Sequence, residues 1–551
     1  MLLRSSLSLL VLSLLSTVLG ETGPLVATSS GSYLGVHDAQ NEVEVFKGIR
    51  FASRPTRFTP ATPISNPPAD VQSAAAFGAD CPQLPSLLGA AGVPAGPPLR
   101  GANQSEDCLF VNVWRPEGTS AKDRLPVLVH IYGGGYFAGA GSEWDGTSLV
   151  RRSVATDKPM IWITFNYRIG VLGFLGSAHA PLEALNVGLQ DQRDALRWIQ
   201  DNAHAFGGDG SRITISGESA GGSSVHMHYL YPDSRRTFRA GISSSGTALV
   251  INTPACEWHD RPGGAYDILG NVTGCGTGAG SFACLRDLPF DTFWPLALST
   301  YNPPGGGFPP WGVTCKGPKG SLIDEYPAKK VINGDFLNAP IITGTNRNEG
   351  NYLIGTTFID ITPQPPIDLE NSLLSGFIAG QATNSETVSQ DTLAKLLALY
   401  AHPTDNLSNS SLSNRASQFE TDYAMLAPQR LFLKTASAAH RKQDVWAYSF
   451  EQHLPGAPDF FGAFHTSDLY YLDIGFPPVT SPSLQSQMQD FYISFVNDLN
   501  PGVFWPKYDE KSPVALRLQE GSVGPIADTL RREQTDFLGR VDVLEEFGRF
   551  G

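Results

Sequence analysis

The pentapeptide Gly217-Glu218-Ser219-Ala220-Gly221 sets one hydroxyl between two glycines. The apolar run ITIS (213–216) precedes it, and Gly222-Ser223-Ser224 follows. A G-x-S-x-G between a strand and a helix forms a turn so tight that the serine is strained and its Oγ is presented as a nucleophile. A Cβ at position 217 or 221 would collide with neighbouring backbone. The helix that follows aims free N–H groups at the site, which favours developing negative charge. A Gly-rich turn with a hydrogen-bonded serine is the plainer alternative; the strand before and the helix after favour a nucleophilic Ser219.

A second glycine cluster, Gly133-Gly134-Gly135, follows the run PVLVHIY (126–132). Bare backbone there lets N–H groups approach a substrate oxygen. Two such donors and the Ala220 N–H would stabilise a tetrahedral oxyanion, each for about 3–4 kcal/mol. A phosphate cradle is excluded, because neither G-x-x-x-x-G-K-[ST] nor a G-x-G-x-x-G after a strand occurs.

A serine nucleophile needs a base and an acid, which follow it in chain order in this kind of fold. Among the later histidines, His226 and His228 fall on the elbow helix and read as structural. His453 and His465 both follow the strand-like run 445–450, and the residues alone do not separate them. Glu349 lies just past the run 339–343, where sites gather in open α/β sheets. Asp335 and Asp360 compete with it by position. No H-E-x-x-H and no Cys/His cluster is present, so metal-dependent hydrolysis is a poor reading and no cofactor is expected.

These residues need a frame. The runs 126–132, 160–167 and 213–216 are apolar throughout, as strands buried on both faces are. Residues 188–206 between them carry Leu189, Ala195, Leu196, Trp198 and Ile199 at helical spacing. Further strands are expected at 240–243, 339–343 and 445–450. The fold class is α/β, with a mostly parallel sheet, helices on both faces and large loop and helical insertions. Residues 21–551 read as one domain.

Seven blocks resemble the type-B carboxylesterase/lipase family, which includes cholinesterases and secreted fungal lipases. They are SEDCLFVNVW (105–114), HIYGGGYFAG (130–139), NYRIGVLGFL (166–175), the segment 186–209, ITISGESAGG (213–222), GTNRNEG (344–350) and GAFHTSDLYY (462–471). The resemblance implies an α/β-hydrolase fold and a Ser219–Glu349–His465 triad working through an acyl-enzyme. It implies oxyanion donors at Gly134, Gly135 and Ala220. Glu218 and Ser245 fall at positions that support the triad, and Asp468 reads as a structural acid. Ion pairs Arg57–Glu106 and Arg168–Asp191 are implied, as are disulfides Cys81–Cys108 and Cys275–Cys284. Thr466 stands where the family usually has glycine after the histidine.

The first 20 residues read as a secretory signal peptide: Arg4, a short apolar run from Leu7 to Leu15, then small residues to Gly20. Serines interrupt that run, which makes it a poor membrane span. In an oxidising compartment the remaining Cys256 and Cys315 are expected to pair. Asn103, Asn271, Asn406 and Asn409 are sequons open to glycosylation. Hydrophobic residues make up 41% and charged residues 17% of 551, which excludes bulk disorder. A net charge of −14 argues against a nucleic-acid partner. The partner is then a small-molecule or lipid-like ester; nothing speaks to oligomeric state.

The loop 82–107 bears on which ester. It has no tryptophan, so the aromatic choline site of cholinesterases is missing, and it is short and proline-rich for a lipase lid. A carboxylesterase for soluble or moderately apolar esters is the first expectation. A lipase or sterol esterase is the second, and a catalytically inactive adhesion relative the third.

Overall fold

The computed structural model describes residues 23–550, apart from 84–102, 302–310, 355–364 and positions 313, 409, 439, 440, 442, 477, 478 and 480. The leader, Asp360, Asn409 and most of the loop 82–107 therefore lie outside the described residues.

Eleven strands form the main sheet. They are β1 (Val36–Asp38), β2 (Val43–Arg50), β3 (Phe110–Pro116), β4 (Leu125–Ile131), β5 (Ile161–Phe165), β6 (Gly208–Glu218), β7 (Ala240–Ser244), β8 (Ile341–Asn346), β9 (Val445–Phe450), β10 (Val514–Leu518) and β11 (Gly524–Ala527). Their spatial order is β1-β2-β3-β5-β4-β6-β7-β8-β9-β10-β11. Pairing is parallel from β5 to β10 and antiparallel toward both edges. The apolar runs become the middle of the sheet: every residue of β5, β7 and β8 is buried. β6 is longer than the run 213–216 that marks it, because its polar start at Gly208 pairs with Leu125. A separate small sheet joins Leu25–Thr28, Gly31–Leu34 and Gln72–Ser73.

Helices cover the sheet, as double-faced burial demands. α1 (Val187–Asn202) buries Leu189, Ala195, Leu196, Trp198 and Ile199. It continues into a 3-10 turn, Ala203–Phe206, that ends at Gly207. α2 (Ala220–Leu230) is buried on every face. This explains why it lacks an amphipathic pattern: it packs on β6 and β7 while other elements enclose it. The buried Arg168 guanidinium grips Asp191 of α1 with two 2.7 Å bonds, and Arg57 holds Glu106 at 2.7 Å.

Two helical insertions carry their own apolar clusters. One contains Ala265–Thr273, Ser281–Asp287 and Phe290–Ser299. The other contains Ile367–Gly380, Gln390–Leu399 and Ser411–Glu420. Disulfides join Cys81–Cys108, Cys256–Cys315 and Cys275–Cys284. The expected third bridge is thus present and buried. Asn103, Asn271 and Asn406 are exposed. Among the described residues no helix is long and apolar enough to cross a membrane.

Candidate active site

β6 ends at Glu218 and α2 begins at Ala220, so Ser219 alone makes the turn between them. Its backbone sits at φ 57° and ψ −124°. Such a conformation costs a non-glycine residue on the order of 1–3 kcal/mol and persists only where the surroundings over-determine it. They do so here. Ser219 N donates to Ser244 O at 2.9 Å, and Ser219 O accepts from Ser223 N at 2.8 Å. A Cβ on Gly221 would stand 2.0 Å from Ile131 O, and one on Gly217 would stand 2.3 Å from the Gly221 carbonyl carbon. The two glycines let β6 and α2 close against the end of β4.

The candidate acid, Glu349, comes from the end of β8. A one-turn helix, α3 (Glu349–Leu353), starts three residues past Asn346. Glu349 is fully buried, and its Oε1 accepts from Asn346 N at 2.6 Å. The next N–H, of Gly350, donates to Thr421 Oγ1 at 2.9 Å. Thr421 lies where α4 (Ser411–Glu420) runs into a π-turn, Thr421–Leu426.

The candidate base, His465, comes from the loop after β9. That loop is zipped to the acid's loop by Asn348: its N donates to Ala463 O at 2.9 Å, and its Oδ1 accepts from Ala463 N at 3.1 Å. His465 Nδ1 lies 2.6 Å from Glu349 Oε2, and Nε2 lies 2.9 Å from Ser219 Oγ. His465 is therefore the histidine brought to the serine. His453 is half-exposed, with Asp459 3.9 Å away. His226 is buried against Phe432, and His228 bonds Gln192 at 2.9 Å, as structural histidines do. Asp335 is exposed and pairs with Lys330.

The glycine cluster follows β4. Gly134 and Gly135 take φ 95° and 63°. The Gly134 carbonyl accepts from Phe137 N at 3.1 Å and Ala138 N at 3.0 Å. A Cβ on Gly133 would stand 3.1 Å from Ser219 Cβ, so the cluster lies against the serine. Ala220 is the first residue of α2, and its N–H has no partner within that helix.

Glu218 and Asp468 complete the charge pattern. Glu218 is buried, and its Oε1 lies 3.5 Å from His465 Nε2 with no hydrogen bond to the described residues. Burial pushes its pKa up to about 8. Asp468 is fully buried, accepts from Tyr448 Oη at 2.9 Å and Asn346 Nδ2 at 3.2 Å, and is raised to about 6 by burial and by Glu349. For His465, burial works against the charged imidazolium, but Glu218, Glu349 and Asp468 outweigh it and raise the pKa to about 9. The Ser245 N–H donates to Gly344 O at 2.8 Å, which ties the end of β7 to β8, while its Oγ is buried without a hydrogen bond to the described residues. No group of His, Cys, Asp or Glu among the described residues could hold a metal ion.

Asn346 and Thr421 escape a reading of the sequence. Asn346 donates its main-chain N–H to the Glu349 carboxylate and Thr421 accepts the Gly350 N–H, and a main-chain donor or a single hydroxyl in such a role leaves no motif. The only signal was the position of Asn346 at a strand end.

A sheet of this order, with an elbow serine, a carboxylate and a histidine past the ends of β6, β8 and β9, has the α/β-hydrolase arrangement. The chain belongs to the carboxylesterase family, whose sequence model matches residues 22–538. It is 31% identical to Secreted lipase 1 of Botryotinia fuckeliana, over 94% of this chain and 92% of that one. It is 30% identical to a secreted triacylglycerol lipase of Gibberella zeae, over 93% and 89%. The crystal structure of Aspergillus niger EstA superposes with a TM-score of 0.79 at 24% identity, covering 96% of this chain and 99% of that one. That likeness carries the α/β-hydrolase fold. The protein is a carboxylic ester hydrolase.

Proposed function

We propose that this hydrolase, a single domain over residues 21–551, works through a Ser219–Glu349–His465 triad and an acyl-enzyme. The observation that carries the reading is His465 lying 2.6 Å from Glu349 and 2.9 Å from Ser219. His465 takes the Ser219 proton as Oγ attacks the ester carbonyl carbon. The carbonyl π electrons move to oxygen, and the N–H groups of Gly134, Gly135 and Ala220 receive that oxyanion. The tetrahedral species collapses, the alkoxide leaves with the proton from His465, and the acyl group stays on Ser219. A water then repeats the sequence and releases the acid. Glu349 orients His465 and offsets its charge. Ser219→Ala is expected to lower kcat by a factor on the order of 10⁴ or more with the fold intact. Full activity of that variant, or no labelling of the wild type by a fluorophosphonate, sinks the triad.

A second reading concerns the substrate. The relatives named as lipases, one of them a triacylglycerol lipase, favour lipid esters over the soluble esters expected from the short loop 82–107. Initial rates on a ladder of acyl lengths separate the two. A rise in rate above the solubility limit supports lipid esters; saturation below it supports soluble ones.

A further inference from the structure

We propose that Gln83 and Tyr301 are positioning residues for ester hydrolysis: Gln83 pins the Gly139 end of the glycine loop at residues 133–139 directly, and Tyr301 steadies its middle, Tyr136, through the Gly170–Val171 backbone. The inference rests on the reading of Gly134, Gly135 and Ala220 as oxyanion donors.

The near pin is Gln83, buried two residues past Cys81. Its Oε1 accepts from Gly139 N at 2.7 Å, and its Nε2 donates to Gly139 O at 3.1 Å. The side chain thus grips one residue at both backbone groups, as a neighbouring strand would. Nε2 also donates to Cys81 O at 3.2 Å, and the Gln83 N–H donates to Gln104 Oε1 at 3.1 Å. The grip is therefore anchored in the segment closed by Cys81–Cys108.

The far pin runs through Tyr136, whose φ of 61° is strained for an aromatic residue. Its carbonyl accepts from Gly170 N at 2.6 Å. Gly170 opens a single helical turn, Gly170–Gly173, and the next N–H, of Val171, donates to Tyr301 Oη at 2.9 Å. Tyr301 is buried and stands so close that a Cβ on Gly170 would lie 1.8 Å from its hydroxyl oxygen. Tyr301 belongs to the segment closed by Cys256–Cys315. Within the loop, Gly134 O accepts from Phe137 N and Ala138 N, which makes it a compact turn.

Two disulfide-closed segments from different parts of the chain therefore each send one uncharged polar side chain toward this loop, Gln83 bonding it directly and Tyr301 bonding the Val171 N–H next to the Gly170 that holds Tyr136, and neither side chain bonds to Ser219, Glu349 or His465. An oxyanion hole works only if its donors already lie where the negative oxygen will form. A loop of glycines cannot hold that geometry by itself. The two clamps supply the stiffness, and their effect falls on the transition state rather than on substrate binding.

The test uses the full-length, disulfide-intact protein with Gln83→Met, Tyr301→Phe and Ser219→Ala variants. Each clamp variant is expected to lower kcat on a soluble short-chain ester about 10- to 100-fold, the size of effect a misplaced group produces. KM is expected to stay within about twofold. Inhibition by an alkyl trifluoromethyl ketone, which forms a tetrahedral oxyanion on a serine, is expected to weaken by the same factor as kcat/KM. Wild-type kcat in both clamp variants, or a raised KM with kcat unchanged, overturns the proposal. If Gln83→Met melts before assay, Tyr301→Phe, which removes one oxygen, decides alone. A fully active Ser219→Ala removes the triad reading and this inference with it. An inactive Ser219→Ala with wild-type clamp variants removes only the inference.

Discussion

His465 sits among three carboxylates, and an imidazole so placed keeps its proton to higher pH than one in water. Its pKa stands near 9 against the ordinary 6.5 because Glu218, Glu349 and Asp468 outweigh the effect of burial. A general base must be neutral to accept the serine proton. kcat/KM is therefore expected to climb through the alkaline range in a pH–rate profile of the free enzyme. Glu218 is the carboxylate that can be changed without touching the hydrogen bonds of the proposed triad. Glu218→Gln removes a negative charge 3.5 Å from Nε2. It is expected to move the acid limb of that profile to lower pH; a limb that stays in place would mean Glu218 does not set the base's affinity for its proton.

Glu349 owes its place to an element contact. The first turn of α3 docks on the junction of α4 and the π-turn, where Thr421 Oγ1 accepts from Gly350 N and donates to Ser417 O at 2.8 Å. A Cβ on Gly350 would lie 2.0 Å from Ser417 O, so the two backbones nearly touch. π-turns are scarce and often sit at functional sites. Thr421→Val keeps the shape and removes the acceptor, leaving a buried N–H unpaired. The expected cost is about 1–3 kcal/mol by chemical denaturation, with a fall in kcat as the acid loses its setting. Unchanged stability and kcat would assign the Gly350 N–H another partner. At the same scale, the Cys256–Cys315 bridge spans 59 residues and Cys275–Cys284 spans 9. By chain entropy, opening the first is expected to cost about 4 kcal/mol and the second about 2.5 kcal/mol. Paired Cys→Ala variants check the order by denaturant midpoint.

Across the whole molecule, burial dominates the titration of several acids. Burial raises Glu143 and Glu218 to about 8 and Glu420 to about 7. Folded, these groups hold protons that the unfolded chain has already released, so folding loses stability as pH rises through those values. His465 acts in the same direction: its raised pKa contributes stability fully below 6.5, and that contribution is lost as pH rises through about 9. The four buried neutral histidines, His130, His226, His228 and His259, have lowered pKa values of about 3 to 4 and are uncharged in both states above neutrality. They offer no compensation there. The melting temperature is expected to fall from about pH 6.5 to about pH 9 by calorimetry, in the same range where activity rises. A rising melting temperature would show these acids to be paired in solution.

Local sequence determined the elbow, the glycine loop, the central strands and α1, because each depends on neighbours along the chain: a strand run, a tight turn, a helical period. The resemblance to a family chose Glu349 over Asp335 and His465 over His453, where the residues by themselves left both choices open. Only the tertiary structure decided what surrounds the site. Thr421 under Gly350, Gln83 on the glycine loop and Tyr301 on the Val171 N–H beside it are contacts between residues far apart in sequence, made by single amide or hydroxyl groups. Such contacts follow no period and need no motif. They exist because parallel strand order brings distant chain segments to one edge of a sheet, and only the folded packing of those segments fixes which polar atom meets which.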